Sequence, residues 1–326
     1  MQSIAVCNTA VFYGDELARY GFGGSHPWST ERIHAFWRRL CSDRIDNMVV
    51  EEPEIATEET VLSFHDRQYV EMVKMASRQC QSIPLDRGDT PSFRGVFEAT
   101  LYVVGSTLAA LDMVMAGRDG AGRKIEHAFN PIAGLHHARR DSAGGFCVFN
   151  DIGVAIMQAR QKYGVKKIAY VDIDAHHGDG VFYEFDDDPL LFFADVHQHG
   201  IFPGTGSSSE TGTGKAAGTK LNIPLPADAG DSEFIGAFSK MEEFVDGCKP
   251  ELIILQCGAD GLAGDPITGL RYTASAHAHA ANSLHRLAHR HCQGRIIALG
   301  GGGYDPFNIG RAWTEVVRAF ASAPPG

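Results

Sequence analysis

Val171-Asp172-Ile173-Asp174-Ala175-His176-His177-Gly178-Asp179-Gly180 is the stretch from which the fold can be read. In an extended chain successive side chains point to opposite sides, so Asp172, Asp174 and His176 share one face. The preceding Lys166-Lys167-Ile168-Ala169-Tyr170 is β-rich and apolar, and predicts a strand over 167–174 that delivers the polar group at its carboxyl end. Open parallel α/β sheets bind ligands at those ends. A strand-end turn needs one or two aspartates, not Asp-x-Asp-x-His-His-Gly-Asp. The run outlines a metal site.

Outward from this strand, apolar β-like runs alternate with helical patterns from about residue 125 onward, as a parallel sheet with crossover helices requires. Strands are expected at 127–135, 190–196, 252–257 and 295–299. Helices are expected from an Asn150 cap to a Gly164 stop, near 231–247, near 273–291 and over 306–320. The first 120 residues read as helical, with candidates at 30–40, 57–75 and 91–115, the last stopped by Gly117, and are expected to cover the sheet and shape its rim. The Gly-, Ser- and Thr-rich stretch 203–219 is a long loop, too short for an interdomain linker. The expectation is an α/β fold, one domain over 1–326, built on an open parallel sheet flanked by helices.

With 326 residues, 44% of them hydrophobic, the chain can bury a substantial core. A net charge of −11, with no block of Lys or Arg, argues against a nucleic-acid surface and suits a cationic substrate. Seven widely spread cysteines are unlike a disulfide framework and predict reduced thiols. The start, Met1-Gln2-Ser3-Ile4-Ala5-Val6, has no basic region before its apolar stretch, and no run of about eighteen uncharged apolar residues occurs. A cytoplasmic protein without a membrane span is expected; self-association is left open.

Four expected strand ends carry polar clusters: Gly134-Leu135-His136-His137, the Asp-x-Asp-x-His run, Gly258-Ala259-Asp260-Gly261 and Gly300-Gly301-Gly302-Gly303-Tyr304. Parallel strands bring such ends to one edge, so residues far apart in sequence can meet. Asp174, His176 and Asp260 would supply three ligands and leave a coordination position for water, as in a catalytic site. Their oxygen and imidazole donors admit zinc, iron or manganese. His136 and His137 are candidates for proton transfer, with Asp172 and Asp179 available to fix their tautomers. The glycine run lacks the spacing of a phosphate or dinucleotide loop. It reads as a close backbone approach that presents the Tyr304 hydroxyl to an oxyanion.

Assembled, these residues resemble the histone deacetylase family, including its bacterial acetoin-utilisation type and related amidohydrolases of the arginase/deacetylase fold. The resemblance rests on GLHHARRDSAGGFCVFND (134–151), YVDIDAHHGDGV (170–181), FPGTG (202–206), LQCGADGLAGDP (255–266) and LGGGGY (299–304), with looser matches in HPWSTERI (26–33), FHDRQYV (64–70) and GDTP (88–91). It implies that Asp174, His176 and Asp260 bind zinc, with iron(II) an alternative. It makes His137 the general base and acid with Asp179 as its carboxylate, and His136 its electrostatic partner with Asp172. It makes Tyr304 the carbonyl-polarising hydroxyl. Gly145, Phe146, Phe202 and Ile267 would line an acyl-lysine tunnel, and Asp89 at the rim would bind substrate backbone amides. A potassium ion is implied at Asp172, Asp174, His176 and a position usually serine, here Asp195. The chain ends soon after Trp313, as short bacterial members do.

The resemblance implies hydrolysis of an acylated lysine or a related acetylated amine. A two-metal ureohydrolase of the same fold would need further metal-binding Asp and His residues, and would not explain Tyr304 or the Gly145-Phe146 wall. A non-catalytic acyl-lysine-binding protein would be expected to lack a ligand or the tyrosine.

Overall fold

A row of strand ends organises the molecule. The computed structural model describes residues 9–79, 82–86 and 88–323. Among these, eight parallel strands form one sheet: β1 (Thr9–Phe12), β2 (Met48–Glu51), β3 (His127–Asn130), β4 (Ile168–Asp172), β5 (Leu191–Gln198), β6 (Lys220–Leu225), β7 (Leu252–Gln256) and β8 (Ile296–Leu299). Their spatial order is β2-β1-β3-β8-β7-β4-β5-β6. The register aligns Asn130 with Leu299, Leu299 with Gln256, Gln256 with Asp172 and Asp172 with Asp195. The four polar clusters therefore leave the sheet from neighbouring strands.

The central strands are apolar throughout because helices cover both faces. In β7, Leu252 and Ile254 face one core while Ile253 and Leu255 face the other. The helices are α1 (Asp15–Ala18), α2 (Glu31–Asp43), α3 (Glu58–Val61), α4 (Arg67–Ser77), α5 (Val96–Ala116), α6 (Asp151–Tyr163), α7 (Asp179–Phe182), α8 (Asp231–Cys248), α9 (Ala274–Cys292) and α10 (Pro306–Phe320). Helices α4 to α6 cover one face, and α8 to α10 with much of α2 cover the other. Among the described residues, α5 alone is long and apolar enough to cross a membrane, but 72% of that stretch is buried inside the molecule. It packs against β3 and α6 as a core helix.

Several expectations need correction. The amino-terminal region does not merely cover the sheet: it supplies β1 and β2, each only four residues long and so too short to show a clear period. Strand β6 follows the 203–219 loop without having been expected, its alternation masked by Lys220 and Pro224. The strand expected over 127–135 stops at Asn130, since Pro131 has no N–H for the ladder. The helix expected over 57–75 divides into α3 and α4 because the chain turns inward at His65, whose Nε2 accepts from the Asn150 backbone N–H at 2.8 Å. The helix expected from Pro91 begins at Val96, after Gly95 in the left-handed region. The Asn150 cap and Gly164 stop of α6 are formed as expected. The five described cysteines are free; Cys7, Cys80 and the Met1–Val6 start lie outside the described residues.

Candidate active site and metal centre

Each expected chemical group is placed by a different strand end. After β3, the loop at Gly134 is held by Asp151, the first residue of α6. Its carboxylate accepts from Leu135 N at 2.8 Å, from Gly134 N at 3.1 Å and from Thr107 Oγ1 at 2.9 Å. Gly134 is at φ +87°, and a Cβ there would come within 2.9 Å of Gly301 N. This anchored loop carries His136 and His137.

The two imidazoles form a polarised dyad. His136 Nδ1 lies 2.8 Å from Asp172 Oδ2, His137 Nδ1 lies 2.7 Å from Asp179 Oδ1, and their Nε2 atoms are 3.0 Å apart. Carboxylates beside both Nδ1 atoms place a proton on each, so the shared Nε2 contact needs one further proton. Burial alone would lower His136, but Asp172 and Asp174 outweigh it and raise its pKa to about 9. Burial, then the His136 charge, lower His137 to about 4. The extra proton therefore resides on His136, and His137 is neutral. Arg139, 2.9 Å from Asp179 Oδ2, holds that carboxylate in place.

Asp174, His176 and Asp260 converge, with one donor atom from each inside a 4.8 Å group. His176 Nδ1 lies 3.1 Å from Asp174 Oδ1 and 3.0 Å from Asp260 Oδ2. Tetrahedral zinc with ligand bonds of about 2.0–2.1 Å separates its ligand atoms by roughly 3.4 Å, so little movement would admit the ion. The remaining carboxylate atoms are engaged: Asp174 Oδ2 accepts from Gln256 Nε2 and Gly302 N, both at 2.8 Å, and Asp260 Oδ1 accepts from Ala175 N at 2.9 Å. A Cβ at Gly258 or Gly302 would overlap these carboxylates. Two buried carboxylates and an imidazole in a glycine cradle fit a divalent cation. Against burial, hydrogen bonds to Asp174 and Asp260 raise His176 to about 10, so a proton competes with metal there.

Tyr304 reaches the same place from the glycine turn after β8. Burial raises its pKa well above the phenol value, keeping the hydroxyl protonated. Its backbone N–H donates to Asp265 at 2.8 Å, and the buried Arg32 guanidinium donates to Gly301 and Gly303 carbonyls. A slot lined by Phe146, Phe202, Ile267 and Tyr304 leads from the surface to His137 and His176. Gly145 and Phe146 turn through φ +52° and +67°, and a Cβ on Gly145 would meet both His137 and Phe202. Asp89 stands at the outer groove beside Asp86. Burial, then the contact with Asp86, raise Asp89 to about 6.

The expected residues thus lie together, and Asp195 adjoins Asp172 across β4 and β5. Asp195 also has partners that the sequence did not suggest: His197 Nδ1 at 2.7 Å and Gly178 N at 2.9 Å. Sequence reasoning assigned no part to Asp151, Gln256, Arg32 or Asp265. Asp151 and Gln256 sit inside motifs quoted for other residues, and Arg32 inside the loosely matched HPWSTERI, but nothing local shows what they hold.

The chain is similar to several known proteins. Residues 26–320 match the Histone deacetylase domain family. The Acetoin utilization protein AcuC of Bacillus subtilis is 36% identical over 330 residues, covering 98% of this chain and 84% of that protein. A Probable deacetylase of Archaeoglobus fulgidus is 33% identical, covering 91% and 81%. Histone deacetylase 14, chloroplastic, of Arabidopsis thaliana is 33% identical, covering 90% and 73%. The crystal structure of the HDA15 HD domain superposes with a TM-score of 0.86 at 23% identity, covering 96% of this chain and 89% of that one, a likeness in fold. With its parallel sheet, its convergent strand-end residues and a domain match spanning nearly its whole length, this chain belongs to the histone deacetylase family.

Proposed function

We propose that this protein is a metal-dependent deacetylase that hydrolyses the side-chain amide of acetylated, or otherwise acylated, lysine. The observation that carries the reading is the meeting of the Asp174–His176–Asp260 group, the His136–His137 dyad and Tyr304 at the inner end of one aromatic slot. Asp174, His176 and Asp260 would hold zinc, or iron(II). Such an ion, when bound, supplies Lewis acidity that lowers the pKa of water and polarises a carbonyl. His137 Nε2, on giving up the His136 N–H that it accepts here, takes the proton of the attacking water, while Asp179 holds the ring through Nδ1. The Tyr304 O–H donates to the developing oxyanion. His136, charged beside Asp172, steadies the negative charge, and His137 returns its proton to the leaving amine. The slot accepts a neutral acylated chain better than the charged amine product.

We place a monovalent cation, potassium, at Asp172, Asp174, His176 and Asp195, and the protein in the cytoplasm, where its free thiols would remain reduced. Asp89 would hold the substrate backbone. A second reading, an acetylated polyamine as substrate, draws support from the acidic mouth formed by Asp86 and Asp89 and from the net charge of −11. Acylated peptides and acetylated polyamines, assayed side by side with zinc or iron(II) and with potassium varied, test both. Turnover of the peptides supports the first reading, turnover of the polyamines alone the second, and no amine release from any of them refutes both. Tyr304→Phe should lose about 10²–10³ in kcat, the scale of one oxyanion donor.

A further inference from the structure

Among the described residues a second group of metal-ligating side chains converges, far from the first: His127, His285 and His289. His127 opens β3, so it lies at the amino end of the strand whose carboxyl end leads to His136. His285 and His289 are four residues apart on α9 and share a face. His289 Nε2 stands 2.9 Å from His285 Nε2 and 3.3 Å from His127 Nε2. These spacings match those in the Asp174–His176–Asp260 group and approach the roughly 3.4 Å that tetrahedral zinc imposes on its nitrogen ligands.

Hydrogen bonding fixes the available atoms. His127 Nδ1 donates to the Gly294 carbonyl at 2.7 Å, which leaves its Nε2 lone pair aimed at the other two rings. A backbone carbonyl behind the ring is a usual support for a metal-ligating imidazole. Contacts among three facing Nε2 atoms need only one N–H, so the other two present lone pairs. Burial first, then the neighbouring imidazoles, lower His127 well below the usual histidine range and His285 to about 4; burial also lowers His289. The rings are neutral at pH 7, the form that ligates metal.

The surroundings are those of a site with one open side. His127 and His285 are buried, the Phe320 ring packs 5.5 Å from that of His127, and His289 is partly exposed, giving an ion an entry path and a place for a fourth ligand. The Glu126 carboxylate acts on both His285 and His289 and favours positive charge there. Imidazole donors select zinc, cobalt, nickel or copper over magnesium or calcium.

We propose that His127, His285 and His289 form a second site for a divalent transition metal of the zinc class, clamping α9 to the amino end of β3 independently of the catalytic centre.

The test uses the full chain carrying Asp174→Asn and His176→Ala, stripped with chelator and dialysed against Zn²⁺. The expected result is about one zinc per chain by elemental analysis and a rise of several degrees in Tm with zinc. Adding His289→Ala should abolish both, and His289→Cys, which keeps a ligand, should retain binding. No zinc in the double variant, or an unchanged count after His289→Ala, overturns the site and leaves a hydrogen-bonded imidazole staple. If the double variant does not fold, the wild-type chain should bind two zinc ions and His289→Ala one; equal counts overturn the proposal. A wild-type chain that loses all its zinc on His289→Ala would support this site while removing the metal from the proposed catalytic centre.

Discussion

Gly302→Ala separates a metal cradle from a simple turn. Gly302 lies outside the left-handed region, so alanine adds no backbone strain, only one methyl group. That Cβ would stand 2.8 Å from Asp174 Oδ2 and closer still to Asp260 Oδ2, whereas ordinary contact begins at 3.4 Å. Asp174 would have to retreat by about 0.6 Å and Asp260 by more, against a tolerance of about ±0.2 Å in metal–ligand distance. Disturbing a residue that merely supports a ligand costs about 10–100-fold in metal affinity, so moving two ligands should weaken zinc binding by at least about 100-fold. Chelator-competition titration in a His289→Ala background reports this centre alone, and the deacetylation rate at limiting zinc should fall in parallel. Wild-type zinc affinity in Gly302→Ala would refute the argument that the glycine run shapes the metal site.

Gly145→Ala makes a contrasting prediction: its Cβ would come within 2.8 Å of His137 Cγ and of Phe202 Cε1, so kcat on an acetyl-lysine peptide should drop by about 10² while zinc affinity in the same titration stays unchanged. Asp151→Asn leaves one oxygen to accept from the Gly134 and Leu135 N–H groups but puts an NH₂ where Oδ2 accepts from Thr107 Oγ1 and from the Gly134 N–H. It should cost about 1–3 kcal/mol in denaturant unfolding and lower kcat through the loosened His136–His137 loop. His277 is buried, with its pKa lowered to about 4, chiefly by burial. Since the unfolded chain takes up that proton below about pH 6.5, stability should be full above 6.5 and decline as pH falls towards 4, by up to about 1.4 kcal/mol per pH unit for this group. The difference in unfolding free energy between wild type and His277→Gln, followed over that range, should show this slope; a flat difference would contradict it.

Wherever the determinant is local, the sequence already contains it. The alternation in 171–176 put Asp172, Asp174 and His176 on one face, and Asn150 and Gly164 marked the two ends of α6. The repeated strand-then-helix pattern required parallel strands, which bring ligand-bearing ends to one edge. That much follows from backbone geometry. Strands β1 and β2 are too short to show a period, and their place in the sheet comes from the pairing of β1 with β3 and of β2 with β1. Only the tertiary structure showed that Asp151 anchors the histidine loop, that Gln256 orients Asp174, and that two glycines, Gly258 and Gly302, yield space to the Asp174 and Asp260 carboxylates. It alone joined His127 to His289 across 162 positions. Such contacts arise when separate elements pack, and no residue carries a local sign of which distant neighbour it will meet.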